Sequence, residues 1–306
     1  MATTGTKAVI AALLANTGIA VTKFIAWLLT GSSAMLAEGV HSVADAGNQG
    51  LLLLGGRRAK RRATADHQFG YGRVRYLYAF IVSIVLFSLG GLFALYEAYH
   101  KWTDPHPITS WQWVPLTVLG AAIVMEIFSL RTAVQEANTV RGGRPWLRYV
   151  RESRSPELPV VLLEDIGALL GLVFATIGVS LTLLTDDGRW DAAGTAAIGL
   201  LLVVIAIFLA VEMGSLLVGE SATSEKYALI ERALEGPGIE GVIHLRTLHL
   251  GPDDLLVAAK IAVPAATTAA DIAAAIDAAE SRARAAVSLT LHIYLEPDLR
   301  RLTGRG

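Results

Sequence analysis

The chain has 306 residues, of which 53% are hydrophobic and only 17% charged, and its mean hydropathy is +0.51. A soluble domain carries about 25% charged residues, so a soluble enzyme, a disordered chain and a nucleic-acid module are all disfavoured, and the formal net charge of −1 leaves no global attraction to polyanions or case for a nucleic-acid partner. With no cysteine there is no disulfide framework, thiolate site or cysteine nucleophile, and any metal must be held by His, Asp, Glu, Asn or backbone oxygen.

Six stretches approach the roughly 20 apolar residues that cross a bilayer. They cover residues 7–29, 33–55, 76–99, 111–133, 159–184 and 192–217. The first has one lysine, Lys7, ahead of an apolar run too long for a signal peptide and without an A-x-A site, and reads as a span. Between spans two and three lie Arg57, Arg58, Lys60, Arg61, Arg62, Arg73 and Arg75; between spans four and five lie Arg141, Arg144, Arg148, Arg151 and Arg154. The loops on the other side carry chiefly Lys101 and Arg189. Positive loops stay in the cytoplasm, so both termini and a soluble tail are expected there. The division is a six-span membrane domain, residues 1–218, and a cytoplasmic domain, residues 219–306. The alanine- and arginine-rich composition suits a bacterial plasma membrane.

In the tail, SATSEKYALIERALEG reads as a helix stopped by Gly236. GVIHLRTLHLG and LLVAAKIAV, joined through Gly-Pro-Asp-Asp, read as a hairpin. A second helix follows, with Thr268 as its N-cap, and SLTLHIYLEP forms a third strand. The order α-β-β-α-β is a ferredoxin-like α+β arrangement without its first strand.

Ionisable residues inside spans are costly and mark functional sites. In the second span, His41 and Asp45 are four apart and share a helix face, which Asn48 continues. An imidazole and a carboxylate on one face make half of a tetrahedral site for a cation such as Zn2+; the plainer reading is an interhelical hydrogen-bonded pair that fixes packing. The fifth span contains Glu164 and Asp165, which point about 100° apart, so one of them is expected to face the bundle interior. The fourth contains Glu126, as a ligand, a proton carrier or a partner of Lys23 in the first span. Lys23 is otherwise expected to snorkel toward the cytoplasm.

The stretch TGSSAMLAEGVHSVADAGNQ, with its HxxxD pair, the basic loop ending HQFGYGR, the six spans and the tail order together resemble the cation diffusion facilitator family over nearly the whole chain. The phrases ESRSPELPVVLLED and AEGVHSVADAGNQ are most similar to its branch containing a mitochondrial zinc transporter. The resemblance implies a homodimeric, proton-coupled antiporter that moves Zn2+ or a related divalent metal out of the cytoplasm. It implies a site built from a pair on span two, matched by His41 and Asp45, and a pair on span five. Asp165 matches the second member of that pair; the first falls on Val161, which cannot ligate. A fourth ligand must then come from Glu164, Asn48, Glu126 or water. The loop between spans two and three keeps Asp66 and His67, but Tyr71 stands where some members have a second histidine. In the tail, His244, His249 and His292 read as sheet or surface residues.

Two other functions compete with transport. A membrane metalloenzyme lacks support, because there is no HExxH and no nucleophile with a partner base. A non-transporting membrane metal sensor or scaffold is kept open by the missing ligand at Val161. The donor set suits Zn2+ but also accepts Mn2+, Fe2+, Co2+ or Ni2+, and nothing in it asks for an organic cofactor.

Overall fold

The computed structural model describes residues 17–299. The chain forms two compact units, one of residues up to Arg57 with Leu77–Gly214, the other of Arg58–Tyr76 with the chain from Ser215.

The first unit is helical. Helix α1 is described over Thr17–Thr30, and α2 over Ser33–Ala59. Gly31 separates them at φ 65°, where its amide donates to Trp27 O over 2.7 Å; a positive φ is cheap only for glycine. Helix α3 runs Val74–Thr103, α4 Trp113–Arg141, α6 Glu157–Thr185 and α7 Arg189–Val218, and these four are each long and apolar enough to cross a membrane. Between α4 and α6 lies a short helix, α5, Trp146–Glu152, unforeseen inside the arginine-rich loop. Helix α2 has the length to cross, at 27 residues, but its apolar run is interrupted by Glu38, His41 and Asp45.

Small residues bring these helices close. A Cβ on Gly178 of α6 would stand 2.8 Å from Trp190 O and 3.2 Å from Gly194 Cα of α7, the close backbone approach by which apolar helices gain packing without a hydrophobic drive. In α3 the segment Leu86–Leu92 winds as a π-helix. Its two glycines fit against neighbours: a Cβ on Gly91 would meet Val203 Cγ2 at 2.6 Å, and one on Gly90 would lie 3.9 Å from His41 Nδ1. Such single π turns are often found beside functional residues.

The non-arginine end is tied by one carboxylate. Asp191, in the first turn of α7, is fully buried. It accepts from the Ser33 amide at 2.7 Å, Ser32 Oγ at 2.9 Å, Ser33 Oγ at 3.1 Å and the Ala34 amide at 3.4 Å. It therefore caps α2 from another helix, answering amides that have no partner within α2 itself.

The second unit holds α8 (Ser224–Leu234), β1 (Gly241–His249), β2 (Asp254–Ala262), α9 (Ala269–Ala286) and β3 (Thr290–Asp298). The order is the α-β-β-α-β expected. Strands β1 and β2 are the antiparallel hairpin, and β3 returns parallel to β2 after α9, giving the sheet order β1-β2-β3; a parallel pair needs such a crossover. Ile230, Leu234, Leu255, Val257, Ile261, Ala279 and Ala283 form the core between helices and sheet. Thr268 caps α9 as its position implies, its side chain accepting from the Asp271 amide. The His67 loop belongs to this unit: His67 stacks on Tyr71 with ring centroids 4.5 Å apart, and Arg75 reaches Asp253 at 3.1 Å. On the sheet, Lys260 bonds to Glu296 at 2.9 Å and Asp298 at 3.2 Å. Those hydrogen bonds, the one to Glu296 first, hold its ammonium above the usual lysine value.

Candidate functional site

The polar residues of the membrane helices gather around one cavity in the first unit. It is lined by His41 and Asp45 of α2, Glu126 of α4, and Glu164 and Asp165 of α6, with Lys23 of α1 among the remaining walls. Helical spacing explains the α2 contribution: four residues turn the chain just over once, so imidazole and carboxylate emerge on one face. His41 Nε2 lies 3.5 Å from Asp45 Oδ2. His41 is buried, and among the described residues neither of its ring nitrogens nor Asp45 Oδ1 has a hydrogen-bond partner. Buried polar atoms are nearly always satisfied, so three orphaned donor atoms aimed along one face point to a ligand.

Glu164 and Asp165 both turn inward, which corrects the expectation that only one would. The cavity lies between helices, so two side chains about 100° apart reach different walls of it. Each is held by its own neighbour. Asn48 Nδ2 donates to Glu164 Oε1 at 2.7 Å, and Ser129 Oγ donates to Asp165 Oδ2 at 3.1 Å. Asn48 is thus placed as a partner of Glu164 rather than on the cavity wall. Glu126 lines the cavity from the third helix. Val161, one turn before Asp165, also lines it and brings only an apolar surface. Among the described residues, no three His, Asp or Glu side chains converge closely enough to hold one metal ion; the arrangement is a ring of donors around a space rather than a formed coordination shell.

A second, more open cavity shares Ser129, Val161 and Asp165 with the first and extends to Glu136 of α4 and Glu157 at the start of α6. It leads from the ring of donors toward the arginine-rich loop, with carboxylates along the way.

Lys23 does not snorkel. It is buried, and its Nζ donates to Glu38 Oε2 at 2.9 Å and to Ser42 Oγ at 2.8 Å. Its partner is Glu38, not Glu126. Glu38 had a visible signal, a carboxylate one turn before His41 in an apolar run, which its place inside a longer motif masked. Ser129 and Ser42 had none, because serine is common in membrane helices.

Residues 9–218 match the family model described as the cation efflux transmembrane domain. The chain is 32% identical over 232 residues to the human protein named proton-coupled zinc antiporter SLC30A9, mitochondrial, covering 75% of this chain and 41% of that one. It is 27% identical over 259 residues to metal tolerance protein C4 of Arabidopsis thaliana, covering 83% of this chain and 56% of that one. It is 29% identical over 181 residues to zinc transporter ZitB of Pectobacterium atrosepticum, covering 59% and 51%. The chain spans well under two thirds of the length of each of these relatives.

Proposed function

Because the chain belongs to the cation efflux family, we propose that it carries divalent metal cations, Zn2+ foremost, across a membrane in exchange for protons. The observation that supports this reading most is the cavity itself, where one buried imidazole and four carboxylates from three helices face a common space within an apolar bundle. A metal ion is held only by deprotonated ligands. Ion and protons therefore compete for the same His41, Asp45, Asp165 and Glu126 or Glu164 atoms, and binding one releases the other. That competition is the coupling. The ion enters along the Glu136 and Glu157 side, draws Asp165 from Ser129 into the ligand set with His41 and Asp45, and leaves on the other face after the helices rock about the site. Glu126 completes four-coordination in place of Val161, since it approaches from a separate helix, whereas Glu164 is already engaged by Asn48.

In this reading α1 and α2 join the four long apolar helices as six spans. The arginine-rich loops and the tail unit lie in the cytoplasm. The membrane, read from composition as a bacterial plasma membrane, is checked by fractionation.

The test is Zn2+ uptake into proteoliposomes under an imposed pH gradient. Uptake is expected to follow the gradient and to stop when a protonophore collapses it. Glu126→Gln is expected to slow uptake by at least about tenfold, no less than the loss of an outer-shell partner costs a metal site, and to flatten its pH dependence more than Glu164→Gln does. Gradient-independent binding without uptake would instead favour the sensor or scaffold.

A homodimer is part of the same proposal. The tail is small for independent stability, and its sheet leaves Ile243 and Tyr294 exposed, an apolar contribution that a second copy covers. Because the chain has no cysteine, Ser281→Cys, on the exposed side of α9 and away from that sheet face, gives a single label site. An impermeant maleimide should reach it only from the cytoplasmic side, and amine cross-linking in native membranes should yield a dimer. Labelling from outside, or cross-linked monomer alone, would count against the orientation or the assembly respectively.

A further inference from the structure

A cation carrier has an evident use for acids in its cavity, but not for a buried lysine. Lys23 is 4% exposed and lines the same cavity as His41, Asp45, Glu126, Glu164 and Asp165. Its ammonium is held 2.9 Å from Glu38 Oε2 and 2.8 Å from Ser42 Oγ, and Ser42 lies next to His41 on α2. Burying an ion pair in apolar surroundings costs more than packed apolar side chains of the same volume, so packing alone does not account for it. The fold also makes room for the partner. Glu38 is fully buried, its Oε1 has no hydrogen-bond partner among the described residues, and Gly171 of α6 leaves space for that oxygen, since a Cβ there would stand 2.9 Å from it.

We propose that Lys23 is a tethered cation that sets the metal affinity of the cavity, with Glu38 holding it in position and offsetting its charge. This inference rests on the transport reading and concerns the same site. A lysine ammonium is a compact point charge on a flexible stem. Beside a ring of carboxylates it repels an arriving divalent ion, weakens the ion's hold and speeds its release. Without it, the acids bind the ion tightly and let it go slowly. Glu38 acts with the opposite sign, since it neutralises part of what the ion would otherwise meet.

The two charges therefore predict opposite shifts, which a merely structural strut would not give. Zn2+ binding is measured by calorimetry on the full chain in lipid nanodiscs, and KM and kcat for Zn2+ uptake are measured in proteoliposomes. Lys23→Met should lower Kd and KM by about tenfold and reduce kcat, because release slows. Glu38→Gln should raise Kd and KM by about tenfold. Lys23→Met with Glu38→Gln, which removes both charges together, should return Kd close to wild type. Either single variant tests the claim by itself. Weakened binding in both, or no shift in either, overturns it. So does failure of both single variants to insert, whether or not the double variant inserts, since the pair then serves folding. Wild-type protein that binds no Zn2+ would remove the transport reading instead, before the variants are compared.

Discussion

Asp45→Ala and His41→Ala are each expected to reduce Zn2+ uptake by at least about 100-fold, because in the proposed four-coordinate site the loss of either donor leaves the ion an incomplete shell. Both variants should still insert and unfold at nearly the wild-type temperature. The reason lies in the bonds the two side chains make. His41 Nδ1, His41 Nε2 and Asp45 Oδ1 have no hydrogen-bond partners among the described residues, so removing them breaks little beyond the 3.5 Å contact between the pair. A polar pair that existed to fix helix packing would behave the other way, with stability lost and transport partly kept. Normal uptake by well-inserted Asp45→Ala protein would sink the site assignment.

Asp191→Ala should be the reverse case, a loss of about 3 kcal/mol or more of stability with no change in which ion is carried. Its carboxylate takes four hydrogen bonds from Ser32, Ser33 and Ala34, and its own amide receives one contact, donating to Thr182 Oγ1 at 2.9 Å. Truncation leaves the buried Ser33 and Ala34 amides and the Ser32 hydroxyl at the start of α2 without this acceptor, while Ser33 Oγ keeps Thr195 Oγ1 at 2.9 Å, and each orphaned group costs on the order of 1–3 kcal/mol. Thermal unfolding in detergent of wild type, Asp191→Ala and His41→Ala separates the two classes: a marked drop is expected for the first variant and almost none for the second. Equal unfolding temperatures for Asp191→Ala and wild type would show that the cap contributes nothing.

The π segment of α3 lies on neither side of this division. Gly90 and Gly91 were visible as a pair of small residues in an apolar run. That they sit in a wider turn, with Gly90 close to His41 Nδ1, follows from packing against α2 and α7.

The sequence by itself determined whatever depends on neighbours along the chain. Runs of apolar residues marked the helices, alternation and the Gly-Pro-Asp-Asp turn marked the β1–β2 hairpin, and Thr268 marked the start of α9, because these signals act over one to five residues. The HxxxD spacing put His41 and Asp45 on one face for the same reason. Only the tertiary structure decided what meets across the bundle. Lys23 finds Glu38 fifteen residues on, Asn48 finds Glu164 across 116 residues, and Asp191 finds Ser33 across 158. Whether Glu164 or Asp165 faced inward could not be read from α6 alone, since the answer depended on a cavity walled by α2 and α4 as well. A side chain's direction follows from helical geometry, but its partner follows from which helices pack together, and in an apolar bundle that choice rests on small residues and close contacts that leave no periodic trace in the sequence.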